Sequence, residues 1–326
     1  MAPAMTPLLL KWAGGKRKLA ARIAQHMPAR IDLYVEPFVG SGAVFMYLHM
    51  TNRRQGHVVL GDANPQLMNV YAQVAQTPGQ VAAVLASMPR KAPEADLDAW
   101  REAYNAVRDN FNFNQRRAER SVVTAAQFIW LNRHCFNGLY RVNAAGEFNT
   151  PVGAYRAPTL PDAGALATWS RALADVELVT GDFDALFDRV DAGTVVYADP
   201  PYVPQRVTGF TAYAQGRFDL EAHARLTRAA CAAADRGGVV LVSNHDVVGV
   251  HETYKAAHGF DVVERFAVRR TIAASPARRA PVAEVLLVLT LHTRERMQQS
   301  VDTGGSVDDP DSGVVDNGVG IYVRHI

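Results

Sequence analysis

The sequence predicts an α/β fold in which a helical insert interrupts the sheet. Three observations predict this class: apolar runs alternate with helical periodicity up to about residue 80, the pattern turns helical and polar from about 81 to 131, and strand-like runs return from residue 176. Hydrophobic residues make up 48% of the 326 positions, which is enough for the core of one large or two modest domains.

The first elements follow from apolar runs and capping residues. Ile31 to Glu36 predicts a buried strand, and Ala43 to Met50 predicts the helix that follows a glycine-containing turn. His57 to Leu60 predicts the second strand. Asn64 and Pro65 are typical of a helix N-cap and of the first helical position, so a helix is expected to begin there.

The middle of the chain has a different pattern. The helix capped by Asn64 is expected to end near Thr77. Trp100, Tyr104 and Val107 then recur on one helical face. Residues 132–159 are rich in Asn, Gly and Arg, which predicts loops and a hairpin.

Strand patterns return in the last third of the chain. The predicted elements are strands at 176–179, 194–198, 239–242, 260–268 and 285–291, an Ala-rich helix at 219–235 and a turn at 243–246. Beyond Met297 the sequence is rich in Gly, Asp, Ser and Val, which predicts a disordered extension.

Charge and cysteine content narrow the function classes. The net charge of +2 permits an anionic partner, and arginines gather in two stretches, 116–156 and 265–279, for which a solvated surface is the alternative interpretation. Cys135 and Cys231 lack the spacing of a zinc site or a disulfide framework, which fits a reducing cytoplasm. We expect no signal peptide, no membrane span and no metal.

The four residues from Asp199 to Tyr202, Asp-Pro-Pro-Tyr, directly follow an apolar strand. An amine on a heteroaromatic base is a poor nucleophile because its lone pair is delocalised into the ring. A carboxylate (Asp199) and a carbonyl (Pro200) can accept the amine hydrogens and free that lone pair, while Tyr202 stacks on the base. A Pro-rich turn without a catalytic role remains the alternative.

Three further segments predict a cofactor site. The turn from Glu36 to Gly42 closes a strand at the edge where α/β sheets bind ligands, although a tight turn is the alternative. Asp62 ends the next strand, where a carboxylate can bind two ribose hydroxyls. Trp12 adds a flat aromatic ring and Lys16 adds a cation, although the Lys and Arg residues of this N-terminal segment could equally serve solubility. Together these features indicate S-adenosylmethionine.

The same residues resemble a known family, the DNA adenine-N6 methyltransferases that act on GATC, often called the Dam methylases. The resemblance covers roughly residues 8 to 292. It rests on KWAGGK (11–16), VEPFVGSGAVF (35–45), GDANPQL (61–67), LNRHCFNGLYRVNAAGEFNTPVGAY (131–155), YADPPY (197–202), FTAY (210–213), SNHD (243–246) and VRRTI (268–272).

The resemblance implies a seven-stranded, Rossmann-like methyltransferase sheet. It also implies a discontinuous catalytic domain, 1–64 and 163–296, around a mostly helical target-recognition domain, 65–162, with an extension at 297–326. The residues carried over as cofactor contacts are Trp12, Lys16, Phe38, Gly40, Asp62 and Asp199, and those carried over as the catalytic set are Asp199, Pro200 and Tyr202.

The resemblance also implies how double-stranded DNA is read. Lys11 and Arg141 correspond to guanine contacts, and Leu139 and Pro151 to contacts with a thymine methyl. Phe136 stands where the family has Tyr as a wedge. The full DNA-binding set carried over is Lys11, Phe136, Asn137, Leu139, Arg141, Pro151 and Tyr155, where Asn137 would pair with the base left behind.

Several points stay open in the sequence. Arg141 could instead hold a phosphate, and Leu139 could be a small-core residue. Ala154 replaces a usually basic residue and residues 275–279 replace a Gly-rich basic loop, changes that should affect affinity more than base identity.

The sequence thus predicts a DNA adenine-N6 methyltransferase that flips its target adenine and methylates it by direct in-line transfer. We expect a monomer at the nucleoid in the cytoplasm of a bacterial or phage-infected cell. The alternatives are methylation of another DNA site or of RNA, and binding of cofactor and DNA without turnover. Mismatch repair, replication control and restriction-modification are all compatible roles.

Overall fold

The computed structural model describes residues 8–12, 14–53, 56–91, 96–156, 158–202, 218–255, 258–269 and 281–295. The FTAY motif, the end of VRRTI, the 275–279 loop and the extension from 297 lie outside the described residues. In the part of the chain that is described, no helix is long and apolar enough to cross a membrane.

Helices alternate with strands through most of the described chain. The strands are β1 (Leu33–Glu36), β2 (His57–Asp62), β3 (Val176–Thr180), β4 (Thr194–Ala198), β5 (Val239–His245), β6 (Asp261–Arg269) and β7 (Pro281–Leu289). The helices are α1 (Ala20–Gln25), α2 (Ala43–Met50), α3 (Pro65–Gln76), α4 (Pro78–Ser87), α5 (Leu97–Arg116), α6 (Val122–His134), α7 (Ala163–Leu173), α8 (Asp184–Phe187), α9 (Leu220–Asp235) and α10 (Val248–Val250). Short irregular turns of helix occupy Lys16–Lys18, Phe136–Gly138 and His251–Lys255.

The seven strands form one sheet in the order β3-β2-β1-β4-β5-β7-β6, which confirms the predicted seven-stranded α/β fold. β1 to β5 are parallel, and β7 runs antiparallel to both of its neighbours. The carboxyl ends of β1, β4 and β5 therefore lie at the same edge as the beginning of β7. Ligands bind at this edge in open α/β sheets, so we call it the ligand edge.

Local signals set most of the element boundaries. Asn64 caps α3 by accepting hydrogen bonds from the amides of Gln66 and Leu67, with Pro65 in the first turn. Ser121 forms a capping box with Thr124 at the start of α6. These caps satisfy amide groups that the first turn of a helix leaves unpaired.

Three boundaries differ from the sequence predictions. The turn predicted at 243–246 is largely strand, because β5 pairs with β7 as far as His245. α4 begins directly after Thr77 with Pro78 in its first turn, so the helical pattern resumes at once. α6 continues to His134, past the predicted start of the loop region. In the first case pairing with a distant strand overrides the local turn signal.

Alternate side chains of the central strands pack on opposite faces of the sheet. One face buries Val35, Val196 and Val240 with residues near α8 and α9. The other face buries Tyr34 and Tyr197 in a cluster that extends without interruption into α5 and α6, through Trp100, Tyr104, Phe111, Phe128 and Trp130. The helices of the insert thus share a core with the sheet. The domain division at residues 65 and 163 stays a prediction.

Candidate active site

An ion pair at the ligand edge joins the N-terminal segment to the residue after β4. Lys16 is only 4% exposed, and its Nζ donates hydrogen bonds to Asp199 Oδ2 at 2.9 Å and to the Gly14 carbonyl at 2.7 Å. A buried ammonium needs such partners because burial removes its hydration. Asp199 Oδ1 also lies 2.9 Å from Nζ, so both carboxylate oxygens face the ammonium. Each carboxylate oxygen can accept more than one hydrogen bond, so Asp199 can hold Lys16 and still accept from a ligand.

Burial and three neighbouring groups set the ionisation of Asp199. Burial raises its pKa above the usual carboxyl value, because water no longer stabilises the charged form. The Lys16 ammonium and the Tyr202 hydroxyl oppose that rise in pKa, and the Glu284 carboxyl adds to it. The charge on Asp199 therefore depends on a balance among burial, one cation, one hydroxyl and one carboxyl group.

The Tyr202 ring lies beside this ion pair. Lys16 Nζ is 4.8 Å from the centre of the ring, and the His245 ring packs edge-on against it with centroids 4.6 Å apart. The Tyr202 hydroxyl donates a hydrogen bond to Glu284 Oε2 at 3.0 Å. Asp199, Pro200 and Tyr202, predicted as the catalytic set, follow β4 in sequence and lie at the ligand edge.

Glu284 was missed by the sequence analysis. The signal was present, because Glu284 is a carboxyl group inside the otherwise apolar strand β7. Its meaning depends on strand order, which brings the beginning of β7 to the ligand edge and pairs Glu284 with His245. His245 was noticed only within a motif, without a role.

A second group of predicted residues surrounds Gly40 in the turn after β1. Gly40 has a φ of +46°, and a side-chain carbon there would lie 2.8 Å from the Trp12 ring, so Trp12 packs directly on the glycine. The Gly40 amide donates to Asp62 Oδ2 at 3.2 Å, and the Asn64 amide donates to Oδ1 at 2.9 Å. Tyr71 donates to the Gly40 carbonyl at 2.7 Å. The structure thus brings Trp12, Gly40 and Asp62 together.

Asp62 and Phe38 occupy contrasting surroundings. Burial raises the pKa of Asp62, while its two backbone donors oppose the rise. Each carboxylate oxygen can accept more than one hydrogen bond, so Asp62 can hold the turn and still bind a ligand. Phe38 lies in a separate ring cluster, with the rings of Phe183 and Phe218 each 5.4 Å away between centroids.

Glu36, at the end of β1, is a buried carboxyl group that the sequence analysis left without a role. It is 2% exposed, and its Oε2 accepts hydrogen bonds from the Tyr34 hydroxyl at 2.9 Å and the Phe45 amide at 3.2 Å. Burial raises the pKa of Glu36 to about 8, the two hydrogen bonds oppose the rise, and Asp199 adds to it. Glu36 thereby ties β1 to the first turn of α2.

A hairpin follows α6 and holds the residues predicted to read DNA. The Phe136 amide donates to the Pro151 carbonyl at 2.8 Å, and the Asn149 amide donates to the Arg141 carbonyl at 3.0 Å. The Thr150 hydroxyl donates to the Leu139 carbonyl at 2.7 Å. These bonds bring the segments 136–141 and 149–151 side by side.

Asn132 joins this hairpin to the N-terminal segment. Its Oδ1 accepts from the Lys11 amide, and its Nδ2 donates to the Lys11 carbonyl, both at 2.7 Å. Nδ2 also donates to the Gly138 carbonyl at 3.1 Å. Asn132 is 3% exposed, so these bonds satisfy a buried amide. Sequence reasoning missed Asn132 because a single Asn gives no signal of distant partners.

The predicted DNA-contacting side chains have distinct environments. Lys11 Nζ lies 3.8 Å above the centre of the Tyr155 ring. Arg141 is exposed and donates from Nε to Asn149 Oδ1 at 2.7 Å and from Nη2 to the Asn149 carbonyl at 3.0 Å. Phe136 is 43% exposed although it is apolar, and Asn137 has a left-handed φ of 57°. Leu139 is half-buried, and Pro151 is exposed.

Comparison with known proteins supplies the family. Residues 12–270 match the model of the D12 class N6 adenine-specific DNA methyltransferases. The chain belongs to this family. As a member, it is a DNA adenine methyltransferase, and the methyl donor of such an enzyme is S-adenosylmethionine.

Curated relatives agree with this assignment. The chain is 35% identical over 285 residues to the type II methyltransferase M.MjaIII of Methanocaldococcus jannaschii, covering 86% of this chain and 97% of that one. It is 36% identical over 278 residues to the DNA adenine methylase of Escherichia coli K12, covering 85% and 93%. It is also 36% identical over 282 residues to the DNA N-6-adenine-methyltransferase of Escherichia phage P1, covering 86% of this chain and 35% of that one.

The ligand edge of this methyltransferase fits its methyl donor. The Asp199 carboxylate, the glycine under Trp12 and the carboxylate of Asp62 suit a cationic, ribose-containing ligand. Within the described residues, no group of three His, Cys, Asp or Glu is arranged to hold a metal ion.

Proposed function

We propose that this protein methylates the N6 amine of adenine within duplex GATC, by direct in-line transfer to an adenine flipped out of the helix. The supporting observation is the cluster at the ligand edge, in which the buried Lys16 ammonium contacts both the Asp199 carboxylate and the Tyr202 ring. Such an arrangement suits a planar substrate that carries hydrogen-bond donors.

In this proposal, residues 199–202 activate the amine. Asp199 and the Pro200 carbonyl accept its two N–H groups, so that the nitrogen lone pair leaves conjugation with the ring. Tyr202 stacks on the base, which recovers about 1–3 kcal/mol of the unstacking cost. Bound S-adenosylmethionine would supply an electrophilic methyl group, leaving as a neutral thioether when its carbon–sulfur bond breaks, and the methylated amine would then lose one N–H proton towards Asp199 or water. The protein forms no covalent bond, so its contribution is orientation and fixed charge.

The cofactor contacts follow from the same edge. We assign Trp12 and Gly40 to the flat part of the cofactor, Asp62 to its ribose hydroxyls and Phe38 to the outer wall of the pocket. Lys16 acts mainly through Asp199, because its ammonium is already bound to that carboxylate. Asp199 therefore faces both cofactor and base.

The hairpin reads the site. Arg141 uses two of its five donors on Asn149, which aligns the guanidinium and leaves the others for a guanine edge. Pro151 and Leu139 lie on adjoining segments of the hairpin and contact a thymine methyl. Lys11, held against the Tyr155 ring, contacts the first guanine.

Two residues assist base flipping. Phe136 is a large apolar side chain that is 43% exposed, which suits a wedge between base pairs. Asn137 follows it in a left-handed conformation and pairs with the base left behind. The protein acts as a monomer on DNA at the nucleoid, in the cytoplasm of a bacterial or phage-infected cell.

A labelled-methyl assay tests the proposal. Purified protein is incubated with a GATC duplex, a duplex with the same bases scrambled, and an RNA of matching sequence. Label should enter only the first, as N6-methyladenine, and the DNA should lose cleavage by an enzyme blocked by GATC methylation. Equal label in the scrambled duplex or in RNA would reject GATC specificity, and no label in any of them would favour binding without turnover.

Replacement of Asp199 by Asn tests the catalytic assignment. Asp199→Asn keeps the shape of the side chain but replaces one acceptor oxygen by a donor, so single-turnover transfer should fall by a factor on the order of 10²–10⁴. The dissociation constant for a GATC duplex, measured by fluorescence anisotropy, should change less than about tenfold. Full transfer by this variant contradicts the acceptor role.

A further inference from the structure

Because β7 runs antiparallel to β5, it brings a carboxyl group near its first residue to the ligand edge. A parallel strand would place its first residues at the opposite edge of the sheet, far from the ligand. β1, β4 and β5 reach the ligand edge at their carboxyl ends, whereas β7 begins there. Glu284 is the fourth residue of β7 and is 8% exposed. Its neighbours Val285 and Leu286 are fully buried apolar residues, so the strand enters the core directly after it.

One oxygen of Glu284 faces two groups of the site. Oε2 accepts a hydrogen bond from the Tyr202 hydroxyl at 3.0 Å and lies 3.8 Å from Lys16 Nζ. The same ammonium binds Asp199 at 2.9 Å. Glu284 is thus linked to both side chains that flank the proposed substrate, one directly and one through Lys16.

The stability of the folded protein does not by itself explain why a carboxyl group occupies position 284. A carboxyl group with little exposure loses hydration, and an ion pair in such a place is often no more stable than apolar residues of the same volume. The adjoining positions of β7 show that an apolar side chain fits this part of the sheet. The placement of Glu284 therefore indicates a role in the reaction.

We propose that Glu284 is a positioning residue for methyl transfer, which holds the Tyr202 ring through its hydroxyl and shares the Lys16 ammonium with Asp199. This inference rests on the proposed function, in which Tyr202 stacks on the flipped adenine and Asp199 accepts its amine. Glu284 itself touches neither the base nor the methyl group.

The sharing of Lys16 has a consequence for acidity. The titratable groups that act on Asp199 are Lys16, Glu284 and Tyr202, with Tyr197 and Glu36 near enough to be influenced by its charge. The Glu284 carboxyl raises the pKa of Asp199, so its neutralisation lowers that pKa. Activity needs the Asp199 carboxylate, and the acid limb of the rate profile should then move to lower pH.

The test compares Glu284→Gln, Tyr202→Phe and the double variant with a matched control, Glu264→Gln. Glu264 is a half-buried carboxyl group on β6 that pairs with Arg22 and His26 away from the ligand edge. Single-turnover methylation of a GATC duplex is measured from pH 5 to 9, together with DNA affinity. The fluorescence of 2-aminopurine at the target position reports where the base is held.

In Glu284→Gln the amide oxygen can still accept the Tyr202 hydrogen bond, but the bond is no longer charge-assisted and the carboxylate near Lys16 is gone. This predicts about a 10-fold fall in the transfer rate, with DNA affinity within a few-fold of wild type. The acid limb should move to lower pH, and the 2-aminopurine signal should change. Tyr202→Phe should lose a similar factor although it keeps its ring, and the double variant should be no slower than the slower single variant. Glu264→Gln should match wild type.

Three results would overturn the inference: a wild-type rate and acid limb in Glu284→Gln, a wild-type rate in Tyr202→Phe, or fully multiplicative losses in the double variant. Tyr202→Phe keeps the inference testable if Glu284→Gln does not fold, because it leaves the strand unchanged. The proposed function fails separately, if the wild-type protein does not methylate GATC.

Discussion

Four carboxyl groups at the ligand edge differ in what surrounds them, and this decides what each can do. Asp199 has a buried ammonium, Asp62 has two backbone amides, and Glu284 has a tyrosine hydroxyl. Glu36 has a hydroxyl and an amide but no cation among its hydrogen-bond partners. The Lys16 ammonium lies 2.9 Å from Asp199 and 3.8 Å from Glu284, and a cation stabilises a carboxylate more than neutral donors do. Of the four, Asp199 is therefore the one whose surroundings most favour a charge that a substrate amine can use.

Glu36 should make the stability of the protein depend on pH. Its folded pKa of about 8 lies above the unfolded value, so the stability it gives is complete below pH ~4.3 and is lost as pH rises through 8. Glu36→Gln removes this titration. Between pH 5.5 and 8.5 the wild-type protein should lose on the order of 3 kcal/mol of unfolding free energy relative to the variant.

Urea unfolding at the two pH values measures this difference. Glu221→Gln serves as the control, because Glu221 is a carboxyl group 75% exposed on the surface of α9. The control should follow the wild-type pH dependence. Parallel curves for wild type and Glu36→Gln would show that Glu36 is not protonated in the folded state.

At the level of elements, side chains of two helices of the insert, α5 and α6, hold the hairpin in place through hydrogen bonds. Tyr104 on α5 donates its hydroxyl to the Thr150 carbonyl at 2.8 Å. Asn112, also on α5, donates to the Phe148 carbonyl at 3.0 Å and accepts from the Phe148 amide at 2.9 Å. Asn132 on α6 ties the hairpin to Lys11. Buried side chains of α5 and α6 therefore hold the proposed DNA-reading hairpin in place.

Asn112→Ala should loosen the hairpin without touching the cofactor site. It leaves a buried amide and carbonyl of Phe148 without their partner, which costs about 1–3 kcal/mol. The methylation rate on GATC relative to a duplex with one altered base should fall severalfold, while the affinity for S-adenosylmethionine, measured by calorimetry, stays unchanged. Asn105→Ala, an exposed position on the same helix, is the control.

An unchanged ratio between the two duplexes in Asn112→Ala would show that base discrimination does not depend on this anchor. A loss of cofactor affinity in the same variant would show that the hairpin and the cofactor pocket are not independent. The second result would indicate that the hairpin affects the cofactor pocket through Asn132, which binds both the hairpin and Lys11.

At the scale of the whole molecule, the net charge is small but exposed arginines are concentrated in one region. The net charge is only +2, yet Arg117, Arg120, Arg141 and Arg156 are all exposed on the hairpin and nearby loops. Binding to a polyanion then depends on this local cluster and weakens with salt, since each neutralised phosphate releases counterions.

Salt titration measures how many phosphates are neutralised. With about four phosphate contacts, the dissociation constant for a GATC duplex should rise roughly 10²-fold between 50 and 200 mM salt. Arg120→Ala should reduce the slope of the log–log plot by about 1. A slope near zero in the wild-type protein would contradict an electrostatic DNA surface, and affinity for the cofactor should change little over the same range.

The sequence by itself determined the class of the fold and most of the strands and helices. It also predicted the residues from Asp199 to Tyr202 as a candidate catalytic motif. Apolar periodicity, the Asn64 cap and the glycine turn are local signals, which the order of residues carries directly. The alternation of strands and helices also predicted that these motifs lie at one edge of the sheet, because the carboxyl ends of parallel strands lie at the same edge.

Only the tertiary structure decided which distant side chains meet there. Lys16 binds Asp199 across 183 positions of sequence, Tyr202 binds Glu284 across 82, and Asn132 binds Lys11 across 121. No local pattern encodes such pairs, because they depend on strand order and on the antiparallel insertion of β7. A buried polar group must find its partner in the folded chain, and the fold alone determines which partner is within reach.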